Sequence, residues 1–139
     1  MASPLQASAD SELVRGMLDA GNASGWSVEP VVRFFSPTWV GVVVPEWPEP
    51  GRYEGHDGLA ALLDEWTADT DRFELELRDQ IDAGDHTMSR LRMRQVAHGQ
   101  TIKVDALLYA VDQVRDGAIA ETCWFLTRAE ARVAAGLSE

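Results

Sequence analysis

Between residues 72 and 127 apolar and polar side chains alternate with period two, the pattern of strands that turn one face to a core. Four such runs are separated by Ala83-Gly84-Asp85, Gly99-Gln100 and Arg115-Asp116-Gly117, each with glycine where a tight connection needs it. They read as consecutive hairpins, and registering them sorts the side chains. The Gly84 turn pairs Phe73 with Gln95, Leu75 with Met93 and Leu77 with Leu91 on one face. On the other face it pairs Glu74 with Arg94 and Glu76 with Arg92, so apolar meets apolar and opposite charges meet. The Gly99-Gln100 turn sets Met93 against Ala106, Leu91 against Leu108 and Arg94 against Asp105, which places Arg94 between Glu74 and Asp105. The last turn has two readings. A two-residue Asp116-Gly117 loop puts Cys123 opposite Ala110, whereas a three-residue loop with left-handed Gly117 puts Thr122 opposite Ala110 and Trp124 opposite Leu108. The second is preferred because it keeps Glu121 and Arg128 on the outer face.

Upstream the period changes from two to 3.6. Residues 1–8 read as a flexible tail, and residues 9–139 as a single domain. A helix over 10–23 carries Leu13, Val14, Met17 and Leu18 on one stripe, and Gly25 stops it. A short helix over 28–35 tolerates Pro30 in its first turn. The β-branched run Trp39-Val-Gly-Val-Val-Val44 reads as a strand with Val40 and Val42 inward and Trp39 on the other face. Pro45, Pro48, Pro50 and Gly51 make the next stretch a loop through Trp47. A helix over 57–68 places Leu59, Leu62, Leu63 and Trp66 at helical spacing. A closing helix over 129–135 has Gly136 as its stop.

Composition narrows the function. The chain has 139 residues, 45% of them hydrophobic, enough for a real core despite a formal charge of −11. That acidic balance disfavours nucleic acid and anionic membranes, both of which need basic patches. The longest apolar run, residues 39–45, is too short to span a bilayer, and with no charged n-region followed by an apolar h-region at its start no secretory signal is expected. Cys123 is alone, so no internal disulfide forms, and a reducing, cytoplasmic location is expected. His56, His86 and His98 are scattered without ligand spacing; no metal and no cofactor is implied. His56, at the start of the helix over 57–68, is expected to help cap it.

The segments Tyr53-Glu-Gly-His-Asp-Gly58, Ile81-Asp-Ala-Gly-Asp85 and Val114-Arg-Asp-Gly-Ala-Ile119, with the ending Arg128-Ala-Glu-Ala131 and Ala135-Gly-Leu137, resemble the SnoaL-like family in order and separation. The family usually has lysine where Ala118 stands. The resemblance implies a nuclear transport factor 2-like α+β fold, a cone-shaped curved antiparallel sheet with three helices on its concave face. The superfamily includes ketosteroid isomerase, limonene epoxide hydrolase and polyketide cyclases. Carried over by that likeness, the isomerase's tyrosine and two aspartates fall at Leu18, Val42 and Ala110, all apolar here. The epoxide hydrolase's arginine and aspartates fall near Leu91, Met93 and Trp124. Neither catalytic set is present. SnoaL-type cyclases use an aspartate from the sheet, and Asp112, placed opposite Ala120, is the inner-face carboxylate near the mouth. It is either an acid/base raised in pKa by apolar neighbours or a solvated strand-end group beside the turn.

The inner face otherwise collects Leu18, Val42, Leu91, Met93, Leu108 and Ala110, with Gln95 and Thr122 as polar members that either orient a ligand or satisfy backbone groups. Trp66 and Trp124 face the same space and either line it or fill it, while Trp26 and Trp47 lie in loops that would form a rim. The expected function is a pocket protein for a hydrophobic small molecule. The alternatives are a cyclase- or isomerase-like enzyme using Asp112, and a dimeric interaction module without a ligand. On the outer face Leu107, Tyr109, Val111, Cys123 and Phe125 form an apolar patch that either packs a homodimer or lies under a terminal segment.

Overall fold

The computed structural model describes residues 4–43, 51–68, 70–97 and 103–137. Helix α1 (Pro4–Ser24) begins earlier than the apolar stripe requires, because proline at a first helical position has its φ preset and loses no bond. It ends where Gly25 and Trp26 both turn left-handed (φ 71° and 64°) and the Trp26 N–H closes on the Gly21 carbonyl at 2.7 Å. Helix α2 (Val28–Val32) is shorter than its expected span, since the chain is already extended at Phe35 and continues as β1 (Phe35–Val43). A short strand β2 (Arg52–Glu54), not foreseen in the sequence, precedes α3 (Gly55–Thr67). Then come β3 (Thr70–Ala83), β4 (His86–Ala97), β5 (Lys103–Arg115), β6 (Ala118–Phe125) and α4 (Arg128–Ala134). The Pro45–Trp47–Pro50 part of the expected loop, and the Gly99-Gln100 turn with His98, lie outside the described residues.

The strands form one sheet in the order β2-β1-β6-β5-β4-β3. It is antiparallel throughout except that β1 runs parallel to β6. The first two hairpins take the expected register: Leu75 faces Met93, Leu77 faces Leu91, and Leu91 faces Leu108. Their outer-face charges lean diagonally instead of straight across. Arg94 reaches Glu76 at 3.2 Å and Arg92 grips Asp105 at 2.6 Å.

The last hairpin follows neither expected register. Asp116 and Gly117 both have positive φ (52° and 77°) and form a two-residue tip with Arg115 opposite Ala118. An irregularity beyond Val114 then shifts the pairing, so that Ala110 faces Trp124 and Asp112 faces Thr122. The shift restores the parity of the three-residue reading. Thr122 and Trp124 therefore point inward, although each meets a different partner from the expected one.

Strand β1 is the other correction. Trp39 is fully buried on the inner face, with Gly41 and Val43, while Val40 and Val42 take the outer face. The cause is Gly41: a Cβ there would overlap the Trp39 indole, so only glycine lets the ring lie flat along its own strand.

The core lies between the inner face and α1, α2 and α3, where Val14, Val31, Leu62 and Leu91 are 1% exposed or less. Each such side chain contributes about 1.5–3 kcal/mol by leaving water. The exposed edge of β3 is closed by a side chain. The Asn22 amide donates to the Leu75 carbonyl (2.9 Å) and accepts from the Leu75 N–H (3.0 Å), standing in for a neighbouring strand. On the outer face α4 seals a second cluster, packing Ala131 and Ala135 over Met88 and Val111. Among the described residues no helix is long and apolar enough to cross a membrane.

Candidate functional site

Toward the β5–β6 turn the inner face of the sheet becomes polar. Thr87 of β4 faces Asp112 of β5, which faces Thr122 of β6, and Ser89 lies one inward position along from Thr87. All four are buried, and Asp112 is only 1% exposed. This rules out the solvated strand-end reading of Asp112.

Thr122 links the group to the core. Its hydroxyl accepts a hydrogen bond from Trp39 Nε1 at 3.1 Å and donates one to Asp112 Oδ1 at 2.5 Å. Across the β4–β5 pairing from Asp112, the buried Thr87 hydroxyl has no hydrogen-bond partner among the described residues. Burial pushes the Asp112 carboxyl up to about 7, and the Thr122 bond opposes that rise. At neutral pH the group is therefore poised between acid and carboxylate.

Among the described residues, Asp112, Ser89 and Thr122 are the polar members of a cavity whose lining is otherwise apolar and includes no Lys, Arg or His. Helices α1 and α3 roof it with Val14, Met17, Leu18, Leu59, Leu62 and Leu63. Of the side chains expected to line a pocket, Leu18, Trp66, Leu91, Ala110, Thr122 and Trp124 do so, together with Asp112. Val42 does not, because β1 turns it outward. Gln95 does not, because its amide donates to the Trp66 carbonyl at 3.3 Å. Met93 and Leu108 are buried core on the same face without reaching the cavity.

The space itself is small, about 30 Å³. Aromatic rings take up the rest. Trp66 meets Trp124 edge to face at 5.2 Å, Trp124 meets Trp39 at 6.2 Å, and Trp66 lies against Phe73 at 5.7 Å. Trp66 and Trp124 thus both line the cavity and fill much of the room beside it. Trp26 is no rim residue: it is 4% exposed, and its Nε1 donates to Asn22. Trp47 lies outside the described residues.

Ser89 was missed from the sequence although its signal was there, since it alternates in phase with Leu91. His56 caps nothing: Glu54 holds the N-cap position of α3, and His56 Nε2 instead sits 3.0 Å from the Phe35 carbonyl, tying α3 to β1. Its neighbours Gly55 (φ 70°) and Gly58, pressed against the Tyr53 backbone, make this motif structural. Among the described residues no three His, Cys, Asp or Glu side chains are grouped to hold a metal.

Comparison with known proteins agrees with this architecture. The family model of the SnoaL-like domain matches residues 14–122. No curated protein matches the chain. Among solved structures the chain is similar to a protein described as a SnoaL-like polyketide cyclase from Jannaschia sp. CCS1 (19% identity, 97% of this chain and 95% of that one, TM-score 0.74). It is similar to TerC co-crystallised with polyporic acid (13% identity, 92% and 98%, TM-score 0.73). It is also similar to a hypothetical protein of ketosteroid isomerase-like fold from Catenulispora acidiphila DSM 44928 in complex with trimethylamine (12% identity, 88% and 93%, TM-score 0.67). At such identities the likeness is one of fold.

Proposed function

From the chain's place in the SnoaL-like domain family, to which it belongs, we propose that it is a small-molecule pocket protein holding a compact, largely apolar ligand against Asp112. The observation that carries this is a buried carboxyl in an otherwise apolar cavity, faced by a buried Thr87 hydroxyl that has no partner among the described residues. Polar groups left unsatisfied in a core are rare and costly, and ligand sites are where they occur. The solved neighbours named above hold ligands as different as trimethylamine and polyporic acid, so selection rests with the lining of each chain. Here the lining favours a small guest. A cavity of roughly 150 Å³ takes benzene, and the 30 Å³ present must widen for anything beyond two or three heavy atoms. Met17 and Trp66, 8% and 9% exposed, are the lining side chains nearest to solvent and the ones to yield.

A second reading is favoured by the position of the Asp112 carboxyl near 7: an acid/base suited to proton transfer in cyclase- or isomerase-like chemistry. The test of the pocket reading is a thermal-shift screen of compact fragments against the wild type and Ala110→Leu, which fills the cavity. Stabilisation of the wild type by several degrees, lost in Ala110→Leu, is the expected result. A screen with no wild-type response would leave the fold as a ligand-free interaction module.

A further inference from the structure

We propose that the Asp112 cavity recognises a small aliphatic ammonium ion, seated between the carboxylate and the surrounding aromatic rings. The inference rests on the pocket reading and specifies the charge of the guest. Three features of the lining converge on it. Asp112 is the only charged residue among the described lining residues, and of its two oxygens Oδ1 is the one that Thr122 holds. Two of the cavity's rings, Trp66 and Trp124, belong to residues that line it together with Phe35 and Trp26, and ring faces attract cations, most strongly indole. Apart from Ser89 and Thr122, the remaining described wall is aliphatic and suits short alkyl groups. A buried carboxylate without a counter-ion is costly, and a cationic guest supplies the missing charge.

Among the described residues no other ionisable side chain lines the cavity. Facing Asp112 are Thr87 from β4 and Thr122 from β6, with the Trp39 indole of β1 behind Thr122. Helix α3 presents only Leu59, Leu62, Leu63 and Trp66 to the cavity. Helix α1 presents Val14, Met17 and Leu18, while its Asp10 carboxyl is pushed up by burial and then by Asp82 and Asp85, and its Arg15 donates to Gln80. The Cys123 thiol on the opposite face of β6 is pushed up to about 11, first by burial, then by Glu121 and Asp112, and stays neutral.

The opposing possibility is a neutral carbonyl guest that accepts a hydrogen bond from protonated Asp112. The two differ in the sign of their pH dependence. An alkylammonium keeps its proton to about pH 10, so its affinity rises as Asp112 ionises near 7, whereas a carbonyl guest loses affinity over the same range.

Three ligands of one skeleton separate the cases: isopropylamine, 2-propanol and acetone. Each is titrated into the full chain at constant ionic strength, at about pH 5.5 and about pH 8.5, following the tryptophan indole N–H signals by NMR. The expected result is isopropylammonium binding about tenfold or more tighter at the higher pH, and about tenfold tighter there than 2-propanol. Asp112→Asn should remove both differences; if that variant does not fold, the wild-type pH comparison decides alone. Equal binding of isopropylammonium and 2-propanol at high pH, or acetone favoured with affinity falling as pH rises, overturns the ammonium inference and leaves the pocket standing. Absence of binding by all three overturns it too, and the fragment screen then decides whether the pocket reading falls with it.

Discussion

A carboxyl group in an apolar interior resists ionisation because the charged form loses its hydration, and Asp112 meets that condition at 1% exposure. The Thr122 hydroxyl offsets part of this cost by donating to the carboxylate. In the unfolded chain the same group ionises near 3.8, and in the folded protein near 7. Between those values the folded state binds the proton that the unfolded state has released. The stability linked to Asp112 is therefore fully present below pH 3.8, declines as pH rises, and is lost above about 7. The slope is at most about 1.4 kcal/mol per pH unit. Replacing Asp112 by Asn removes the penalty, so the variant should exceed the wild type in denaturant unfolding at about pH 8 by on the order of 1–3 kcal/mol, with the gap narrowing as pH falls below about 7 and closing toward 3.8. A gap independent of pH would mean that the carboxyl does not titrate in this range.

Among the elements, β1 shows how one glycine sets the phase of a strand. The run Trp39-Val-Gly-Val-Val is apolar at every position, so alternation cannot say which side faces the core, and the branched valines suggest the wrong one. Gly41 carries the missing information, because the Trp39 ring occupies the place of its side chain. Gly41→Ala should accordingly destabilise the fold by about 1–3 kcal/mol, read as a lower midpoint in chemical denaturation with an unchanged m-value. No loss would show that the indole has another place to go. Where polarity alternates strictly, as in β3 and β4, register was legible pair by pair, down to Leu75 opposite Met93. It failed in the last hairpin because a bulge leaves no compositional trace, yet the faces survived, since a bulge after a two-residue turn restores the parity of a three-residue turn. The site followed the same logic. Side chains on β4, β5 and β6 were assigned to the correct face, whereas Trp26, Trp39 and Val42 depended on local backbone that periodicity does not encode. The size of the cavity is a property of ring packing and had no one-dimensional signal at all.

At the scale of the whole molecule the two faces of the sheet have different fates. Part of the outer apolar patch is already covered: α4 buries Val111, as the terminal-segment reading anticipated. Leu107 remains 48% exposed, and Tyr109, Cys123, Phe125 and Val42 are half-buried on the same face. We propose that a second copy of the chain packs on this remainder. Leu107→Glu should then shift sedimentation from dimer to monomer without unfolding the protein, and a wild type that sediments as a monomer at micromolar concentration would end the idea. The inner face has a further consequence. Trp39, Trp66 and Trp124 stand in mutual ring contact, and Trp39 reaches Asp112 through one hydroxyl. The protein is thereby its own optical instrument: a guest that parts these rings, or a proton that leaves the carboxyl, alters the light they absorb and emit, so occupancy and ionisation can be followed in untouched protein with no label attached.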